Sequence, residues 1–478
     1  MTATADLAAR REQALGAGAP LFYRAPLHIV RGEGAYLFDA DGRRYVDMYN
    51  NVPCVGHANP AVVEAMTRQQ ATLNVHSRYL HEGVVAFAER LAALHESPAI
   101  ESVIFSCSGT EANEVALRMA RFATGKRGIV FTDATYHGNS DLVSQLTRVG
   151  AAGSKNPELR AIPFPQTYRP LEAGLSGAAL TDATYHGNSD LVSQLTRVGG
   201  AGPKYPALRA IPFPQTYRPL EAGLSESELA DAYLARLRAA IDSLEQEGVG
   251  LAALIVCSIF ANEGLPDVPA GFMARAAQMV RAAGGLVIAD EVQAGYGRTG
   301  RWWGYDITGF TPDIVVTGKP MGNGLPLAAT AASRALVDGF RDRTRYFNTF
   351  ASSPLQAAVG MAVLDVIERG GLLANVAAVG GALKQALADR TPRWDAIGDV
   401  RGHGLFIGVE MVKDPEARTP DAALAAELCN RLKDRGFLTA PAGAFGNVVK
   451  IRPPLVFSQG DAEAFLDAFD ATVAELHG

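Results

Sequence analysis

The sequence predicts an α/β protein in which a mostly parallel sheet with helices on both faces is joined to a smaller α+β domain. In the middle of the chain, short apolar runs at 251–256 and 286–289 are bounded by glycine, and the stretch 271–283 between them has a helical apolar pattern. Strands that are buried on both faces have such continuous apolar runs, and their alternation with helices is typical of a parallel sheet. The C-terminal part lacks this regular alternation, which predicts a second, smaller domain.

The individual elements are assigned from the same patterns. A hairpin with Asp41 and Gly42 in its turn is predicted within the N-terminal segment, because Asp-Gly is a preferred two-residue turn. The other predicted strands are 103–107, 128–131, 251–256, 286–289, 313–317, 405–410 and 448–452, and the predicted helices are 111–122, 226–244, 271–283, 375–388, 422–435 and 461–476. These elements predict that residues 1–59 join the small domain, that 60–329 form the large domain, and that 330–478 form the rest of the small domain.

The composition limits the possible partners and location. A hydrophobic content of 48% is that of a well-cored globular chain, while a net charge of −6 argues against a nucleic-acid partner. No run of about 18 apolar residues occurs, and the first residues lack the apolar core of a signal peptide, so we expect no membrane association and a cytoplasmic location. The four cysteines are scattered without a Cys-x-x-Cys pair, which predicts reduced thiols and no metal site.

One segment of the chain is duplicated in tandem. Residues 132–180 recur as 181–229, an offset of 49 residues. The seven mismatches between the copies fall at positions 151, 154, 156, 158, 177, 178 and 179. Two copies are too few for a solenoid, and removing one leaves 478 − 49 = 429 residues, so we interpret the repeat as surplus to the fold.

Each copy contains a Tyr-His-Gly triplet, and only one triplet is expected at a functional site. Gly-Ile-Val-Phe precedes Tyr136 and His137, whereas Gly-Ala-Ala-Leu precedes Tyr185 and His186. Ile, Val and Phe suit a buried strand better than Ala-Ala-Leu does, which favours the first triplet. The second copy runs directly into the predicted helix 226–244, which favours that copy as the return path into the large domain.

The segment 106–120 predicts an anion-binding turn. A strand ends in small residues, and a helix with one apolar face begins at once. The free backbone N–H groups at a helix start and the helix dipole bind anions, and Ser108, Gly109 and Thr110 are placed to reach a phosphate. The alternative is that Ser108 or Thr110 only caps the helix.

Two charged residues follow strands of the predicted parallel sheet. Asp290 comes at the carboxyl end of the strand 286–289, where open α/β sheets bind ligands, and a carboxylate there can keep a pyridine nitrogen protonated. Lys319 lies in a turn with three glycines and two prolines, where poor solvation lowers the pKa of a lysine and favours the neutral amine that forms an imine. Each residue also fits a simpler role, a turn cap for Asp290 and an exposed turn lysine for Lys319.

Taken together, these motifs resemble the class III aminotransferases, which are fold-type I transferases that depend on pyridoxal 5′-phosphate (PLP). The resemblance covers almost the whole chain apart from the duplicated segment. It also keeps the family's order, in which the phosphate-binding turn comes first, then the strand-end aspartate and then the lysine. The motifs that carry it are 50–60, 108–113, 136–138, 290–300, 318–326, 346–350 and 451–455.

The resemblance implies roles for individual residues. Lys319 holds PLP as a Schiff base and acts as general base and acid, while Asp290 pairs with the pyridine nitrogen. The phosphate is bound in the turn 108–110. The other implied contacts are ring stacking by Tyr136 and Val292, lining by His137, an approach of Gln293 to the phenolic oxygen, and a reach of Thr349 across a homodimer interface to the phosphate of the partner's active site.

The implied reaction is transamination, in which an amino group moves from an amine or amino acid to a 2-oxo acid or aldehyde. Many family members bind a substrate carboxylate with an arginine three residues before a Pro-Pro pair; here Lys450 holds that position, and Arg452 lies two residues further on. With a lysine at this position, the sequence resembles one branch of the family, which contains ethanolamine-phosphate phospho-lyase and the alanine–glyoxylate aminotransferase 2-like proteins. Elimination of phosphate from a phosphorylated amino alcohol is therefore the alternative, although residues 351–354 differ from the Gly-Gly-Asn-Pro of that branch.

A third hypothesis is that the protein is not an enzyme. If the duplication displaced the stacking tyrosine, the chain would be a cofactor-poor homologue with a structural or binding role. The presence of Asp290, Lys319 and Thr349 argues against this hypothesis.

Overall fold

The computed structural model describes residues 3–16, 20–144, 146 and 207–477. Its α-helices are α1 (Ala3–Leu15), α2 (Pro60–Thr72), α3 (Glu82–Ala93), α4 (Gly109–Thr124), α5 (Asp141–Ser144), α6 (Glu226–Gln246), α7 (Phe272–Ala282), α8 (Tyr305–Thr308), α9 (Arg334–Thr344), α10 (Pro354–Arg369), α11 (Leu372–Ala388), α12 (Ala422–Asp434) and α13 (Gln459–His477). Its strands are β1 (Ile29–Glu33), β2 (Tyr36–Asp39), β3 (Arg44–Asp47), β4 (Ser102–Ser106), β5 (Gly128–Thr132), β6 (Leu208–Ile211), β7 (Leu251–Cys257), β8 (Leu286–Asp290), β9 (Ile314–Thr317), β10 (Ala328–Ala332), β11 (Ile397–His403), β12 (Phe406–Asp414), β13 (Thr419–Pro420), β14 (Phe437–Leu438), β15 (Ala440–Ala442) and β16 (Val448–Ile451).

Seven strands form the large sheet, in the order β4-β10-β9-β8-β7-β5-β6. All neighbours from β9 to β6 pair in parallel, and β5, β7 and β9 are buried along their whole length. Helix α4 packs against β4 and β7 to β10, while α6 and α7 contact β7. This arrangement confirms the predicted α/β fold with a mostly parallel sheet.

Strand β10 was not predicted, and it runs antiparallel between β4 and β9. Its sequence, Ala-Ala-Thr-Ala-Ala, has low strand propensity and gives no apolar alternation. The small side chains let α4 lie close to the sheet, where the Thr330 hydroxyl donates to the carbonyl of Ala112 at 2.8 Å. Packing against α4 therefore explains why residues 328–332 form a strand although their own sequence pattern does not predict one.

Two smaller sheets bring the ends of the chain together. One has the order β1-β2-β3-β14, in which β14 pairs in parallel with β3 through Phe437 and Val46. The other has the order β11-β12-β16-β15, with β13 paired to β12. The predicted N-terminal hairpin is present as β2 and β3, and its strand β3 pairs with β14 from the C-terminal part of the chain. The domain limits at residues 59 and 329 stay a prediction.

Several helices outside the large sheet were also not predicted, among them α2, α3, α9 and α10. Helix α2 buries only Val62 and Ala65, which leaves too narrow an apolar stripe for a periodicity argument. Helix α10 begins with Ser353 as N-cap and Pro354 at its first position, a start signal that sequence analysis can use. It packs against α2 and α3 and so joins a segment near residue 360 to the N-terminal third of the chain.

The two copies of the duplicated segment contribute different parts of the described structure. The first copy continues β5 and supplies residues up to 144, together with Leu146. The second supplies β6, which pairs in parallel with β5, and the start of α6. A capping box between Ser225 and Glu228 fixes that start. Tyr185 and His186 lie outside the described residues.

Over the described ranges, no helix is long and apolar enough to cross a membrane. The same ranges contain no group of three or more His, Cys, Asp or Glu side chains that could hold a metal ion. All four cysteines are free thiols.

Candidate active site

A cavity of about 310 Å³ lies at the carboxyl ends of the parallel strands. Residues at or after the carboxyl ends of β5, β7, β8 and β9 line it, as expected for the ligand site of an open α/β sheet. The cavity is lined by Val52, Cys107, Ser108, Gly109, Thr110, Tyr136, His137, Gly138, Cys257, Asn262, Asp290, Val292, Gln293, Gly318, Lys319, Gly324, Leu325, Pro326 and Leu327. Nine of the predicted site residues are therefore brought together from segments that lie far apart in the sequence.

Lys319 stands in the turn after β9. Burial lowers the pKa of its amine, and the positive charge of Arg452 lowers it further, while the Asp290 carboxylate acts in the opposite direction. Within the described part of the chain, no hydrogen bond or ion pair holds the Nζ atom. A largely buried amine without a partner favours its neutral form, which is the form that attacks a carbonyl carbon.

Asp290 is the last residue of β8 and lies one strand away from the Lys319 turn. Its Oδ1 accepts from the backbone N–H of Val292 at 3.0 Å. Its Oδ2 accepts from the Asn113 amide at 2.9 Å and lies 2.6 Å from Nδ1 of His137. The simpler interpretation of Asp290 as a turn cap therefore applies to Oδ1 alone. Three hydrogen bonds fix the position of the carboxylate.

The turn after β4 forms a tight cradle. The Ser108 hydroxyl accepts from the N–H of Glu111 at 3.2 Å, so this residue caps α4 as the simpler interpretation proposed. Gly109 has no room for a side chain, because a Cβ would lie 2.8 Å from a methyl group of Val292. A Cβ on Gly318 would lie 3.2 Å from the backbone of Gly109. The cradle and the lysine turn are thus in direct backbone contact.

The first Tyr-His-Gly triplet lies against this cradle. A Cβ on Gly138 would lie 2.5 Å from Oγ1 of Thr110, and φ of Gly138 is +141°, so only glycine fits. The Tyr136 hydroxyl accepts from the Asn139 amide at 2.9 Å, and its backbone carbonyl accepts from Asn262 at 3.2 Å. Burial, the largest effect, raises the pKa of Tyr136, which keeps the phenol neutral.

Lys450 and Arg452 lie near the cavity but do not line it. The Arg452 guanidinium donates twice to the carbonyl of Tyr49, at 2.9 and 2.8 Å, and once to Oε1 of Gln293. Lys450 is 6% exposed, and its Nζ lies 5.1 Å from the centre of the Tyr49 ring. Burial, followed by the charges of Arg452 and Lys319, lowers the pKa of Lys450 well below its ordinary value.

Thr349 does not line the cavity of its own chain. It lies exposed in a loop beside Phe347, which is 37% exposed, and Phe350, which is 76% exposed. The predicted role of Thr349 concerns a partner's site, so its position outside this cavity is compatible with that expectation. The role itself stays a prediction.

Some site residues were missed by sequence reasoning. Asn113 is fully buried on the apolar face of α4, and an amide among alanines and valines on a helix face was an available signal. Asn262, Cys257 and Glu263 lie at or just beyond the end of β7, where the pattern that predicted the strand gives no information about side-chain partners.

These residues fit PLP. The cofactor needs an amine for covalent attachment, a carboxylate for the ring nitrogen and backbone donors for its phosphate. Lys319 offers an amine without a partner, Asp290 a fixed carboxylate, and the cradle at Gly109 the close backbone approach that a Cβ would fill. The Val292 side chain packs against this cradle and faces the same cavity.

Comparison with known proteins assigns the family. The family model for Aminotransferase class-III matches residues 22–173 and 176–473. The chain is 34% identical over 467 residues to an alanine–glyoxylate aminotransferase 2-like protein of Drosophila melanogaster, covering 96% of this chain and 85% of that protein. It is 31% identical over 481 residues to ethanolamine-phosphate phospho-lyase homolog 1 of Caenorhabditis elegans, with 99% and 94% covered. A phospholyase from Arthrobacter, solved in complex with phosphoethanolamine, is 37% identical and superposes with a TM-score of 0.83 over 98% of this chain and 99% of that one.

Proposed function

The chain belongs to the class III aminotransferase family, whose cofactor is PLP, and from that premise we propose that it transfers an amino group from a small amine or amino acid to a 2-oxo acid or aldehyde. The observation that carries the proposal is the pairing of a largely buried, unpartnered Lys319 amine with the fixed Asp290 carboxylate at the ends of two adjacent strands. These two residues are proposed as the catalytic pair.

When bound, PLP supplies an electron-withdrawing ring that makes the Cα–H bond of an attached amine acidic. Asp290, whose carboxylate is fixed by His137 and Asn113, would pair with the ring nitrogen. Lys319 would hold the cofactor through its side-chain amine, and that amine, when free, would serve as the general base and acid for the Cα proton of the substrate. Gly109 and Thr110 would hold the phosphate in the cradle at the start of α4.

The remaining cavity residues position the cofactor in this proposal. Tyr136 and Val292 would cover the two faces of the ring, and Gln293 would lie near its phenolic oxygen. The hydrogen bond from Arg452 to Gln293 and that from Gln293 to Asn262 at 3.1 Å restrict the rotation of the Gln293 amide. His137 acts through Asp290 and does not need to touch the cofactor.

We further propose a homodimer in which Thr349 binds the phosphate of the partner's site. The support is an exposed apolar patch around that loop, made of Phe347, Phe350, Tyr79 and Leu80, of which Leu80 is completely exposed. The rings of His76 and Phe347 lie 5.8 Å apart, which joins the two segments of the patch. Apolar patches of this kind mark interfaces between chains.

A second candidate reaction, elimination of phosphate from a phosphorylated amino alcohol, is favoured by Lys450. This buried amine has no acidic partner within the described part of the chain, and burial together with the neighbouring Arg452 and Lys319 disfavours its charged form. A bound substrate anion would stabilise the charged form of Lys450, and a phosphate with two negative charges would do so more than a carboxylate. The likeness to the Arthrobacter phospholyase supports the same candidate.

The two reactions are separated by their products. Transamination requires an acceptor, and pyruvate or glyoxylate incubated with a panel of amines would yield alanine or glycine. Elimination requires no acceptor, and phosphoethanolamine would release phosphate, ammonia and acetaldehyde in equal amounts. Release of phosphate without any amino-acid product would replace the first proposal by the second.

The attachment site is tested by borohydride reduction followed by peptide mass spectrometry. We expect the reduced PLP adduct on Lys319, loss of the visible band in Lys319→Arg, and an unchanged band in the matched control Lys413→Arg, because Lys413 is exposed. An adduct on any other lysine would contradict the proposed role of Lys319. Absence of a visible band in the wild-type protein would favour the cofactor-poor hypothesis.

A further inference from the structure

A strap formed by residues 48–56 connects two parts of the candidate active site. Its two ends are held together, because Nε2 of His57 lies 2.8 Å from Oδ2 of Asp47. Val52, in the middle of the strap, lines the cavity together with Lys319. The strap therefore forms part of the cavity wall, and its contacts determine where that part of the wall stands.

The first half of the strap contacts the cations of the site. The carbonyl of Tyr49 accepts from Nε and Nη2 of Arg452 at 2.9 and 2.8 Å, and the centre of the Tyr49 ring lies 5.1 Å from Nζ of Lys450. Asn51 is buried, and its Nδ2 donates to the carbonyl of Gln293 at 3.2 Å. Gln293 in turn accepts from the Arg452 guanidinium. The strap and these two cations therefore fix one another's positions.

The second half of the strap contacts the turn that carries Lys319. The side-chain amide of Asn323, in that turn, makes two hydrogen bonds to the backbone of the strap. Its Oδ1 accepts from the N–H of Val55 at 3.0 Å, and its Nδ2 donates to the carbonyl of Gly56 at 2.9 Å. A single side chain thus fastens the lysine turn to the strap through both of its polar atoms.

Cys54 makes a second connection between the same two segments. Its thiol, which is 1% exposed, donates to the carbonyl of Pro320 at 3.0 Å, and Pro320 directly follows Lys319. Burial, the largest effect, raises the pKa of the Cys54 thiol to about 12, so the thiol keeps the proton that it donates. The carbonyl of Cys54 accepts from the N–H of Leu455 at 2.7 Å, which holds the strap against the small domain.

The backbone of Asn323 has a conformation that favours glycine. Its φ is +45°, and it stands between Gly322 and Gly324. A residue with a side chain is strained in this left-handed region, although asparagine tolerates it better than most, and such strain is found where a side chain has a specific task. Glycine would fit this backbone with less strain, so the benefit of asparagine at position 323 lies in the two hydrogen bonds of its amide.

We propose that Asn323 is a positioning residue that determines substrate specificity, because it fastens the lysine turn to the strap that contacts Lys450 and Arg452. The Lys319 amine and these cations then stand at a fixed separation. A substrate whose amine and anionic group match that separation is held at both places at once, whereas an amine with an uncharged tail is held only at the lysine. This inference rests on the proposed function for the roles of Lys319 and Lys450, but the hydrogen bonds of Asn323 exist in the protein without the cofactor.

The first measurement is backbone hydrogen exchange in the full-length protein without PLP, followed by mass spectrometry of overlapping peptides across 48–60. Val55 is buried, so its amide exchanges only when the strap moves away from the lysine turn. In Asn323→Gly we expect this amide to exchange about 10-fold faster than in the wild-type protein, because its acceptor is lost. Asn323→Asp keeps that acceptor and loses the donor to Gly56, so it should restore slow exchange at Val55.

The second measurement is the affinity for amines, read from the change that each amine causes in the visible band of the PLP-loaded protein. β-Alanine and phosphoethanolamine carry an anionic group, whereas propylamine has an uncharged tail. In Asn323→Gly the dissociation constants of the two anionic amines should rise roughly 10-fold relative to that of propylamine. A general loosening of the site would raise all three dissociation constants by the same factor.

Ala58→Gly is the matched control. Ala58 is exposed, lies two residues beyond the strap and has a φ of +50°, in the same left-handed region as Asn323. Its methyl group makes no hydrogen bond, so this substitution relieves a similar backbone strain without unfastening the strap. The exchange of Val55 and the relative affinities of the three amines should stay at their wild-type values.

The outcomes separate this inference from the proposed function. The inference is wrong if Val55 exchanges at the wild-type rate in Asn323→Gly, or if propylamine loses as much affinity as the anionic amines do. If the wild-type protein forms no visible band with PLP, the proposed function fails and the specificity role of Asn323 fails with it. The exchange rates then still decide whether Asn323 fixes the strap.

Discussion

Removal of one repeat length from the duplicated segment should leave the fold and the cofactor site intact. The variant lacks residues 147–195, so that Leu146 is followed directly by Thr196. Because 132–150 and 181–199 are identical, the junction reproduces a sequence that the protein already contains. Every residue that the structure describes is retained in the shortened chain.

The expected change in stability comes from the length of one connection. The deletion falls entirely within the segment between Leu146 and Ala207. It makes that connection about 5.5-fold shorter, for which the loop-closure relation, (3/2)RT ln n, gives about 1.5 kcal/mol in favour of the shorter chain. The deletion variant should therefore be at least as stable as the full-length protein.

A second deletion of the same length provides the matched comparison. Removal of 181–229 keeps the downstream half of the first copy, so that Glu158 takes the place of Ala207, and Gly177 and Ala179 take the places of Glu226 and Glu228. Ala207 is 9% exposed, and its carbonyl accepts from the N–H of Ile129 at 2.8 Å.

The second deletion should be the less stable one. A glutamate at the position of Ala207 buries a charge, and loss of the Glu228 side chain removes half of the capping box that starts α6. Together these changes cost at least about 2 kcal/mol. In urea denaturation followed by circular dichroism, the midpoints of the two deletion variants should differ by roughly 0.5 M.

The two variants have equal connection lengths, so the comparison isolates the seven positions at which the copies differ. The visible band after PLP addition reports the cofactor site in the same samples. The reasoning is refuted if the chain lacking 147–195 fails to fold or to bind PLP. It is equally refuted if the chain lacking 181–229 proves the more stable of the two.

Four further results are expected. Tyr136→Ala should perturb the visible band and turnover whereas Tyr185→Ala should not, and the reverse pattern would assign the site to the second copy. Asp290→Asn should retain PLP but lower kcat by about 100-fold or more, because a neutral amide does not hold positive charge on the ring nitrogen; near wild-type kcat would leave Asp290 with a capping role only. Lys450→Met should raise KM roughly 10- to 100-fold for anionic substrates and much less for uncharged amines, and equal effects on both would exclude a role in anion binding. Burial lowers the pKa of His95 to about 3, so its contribution to stability is present above pH 6.5 and is lost as the pH falls toward 3; between pH 7.5 and 5.5 the wild-type free energy of unfolding should lose about 1.4 kcal/mol that His95→Gln does not lose.

The predicted residues that the structure brings together at the cavity share one property. Asp290 is the last residue of a strand of the large sheet, and Lys319 and the turn 108–110 come just after such strands, whose carboxyl ends meet at one edge. A local pattern that identifies the strands is therefore enough to bring these residues together. Their identity then points to an amine, a carboxylate and an anion site.

The residues that were missed depend on contacts between distant segments. The Glu263 carboxylate accepts from a hydroxyl 131 residues earlier in the sequence, and the Asn113 amide donates to a carboxylate 177 residues later. Neither partner lies in a repeating pattern that could be extrapolated. Strand β10 was missed for a related reason, since its alanines are selected by the closeness of α4 and not by strand propensity.

The parallel pairing of β3 with β14 determines the order in which the protein can be completed during synthesis. All seven strands of the large sheet have been made once residue 332 leaves the ribosome, so that sheet can form early. Strand β3, in contrast, cannot pair with β14 until Phe437, the partner of Val46, has been synthesised. This happens only after the large sheet and most of the small domain have been made. Until then β3 is an open edge that can pair with a neighbouring nascent chain. A chain that stops before residue 437 should therefore aggregate through its N-terminal hairpin even though its large sheet is complete.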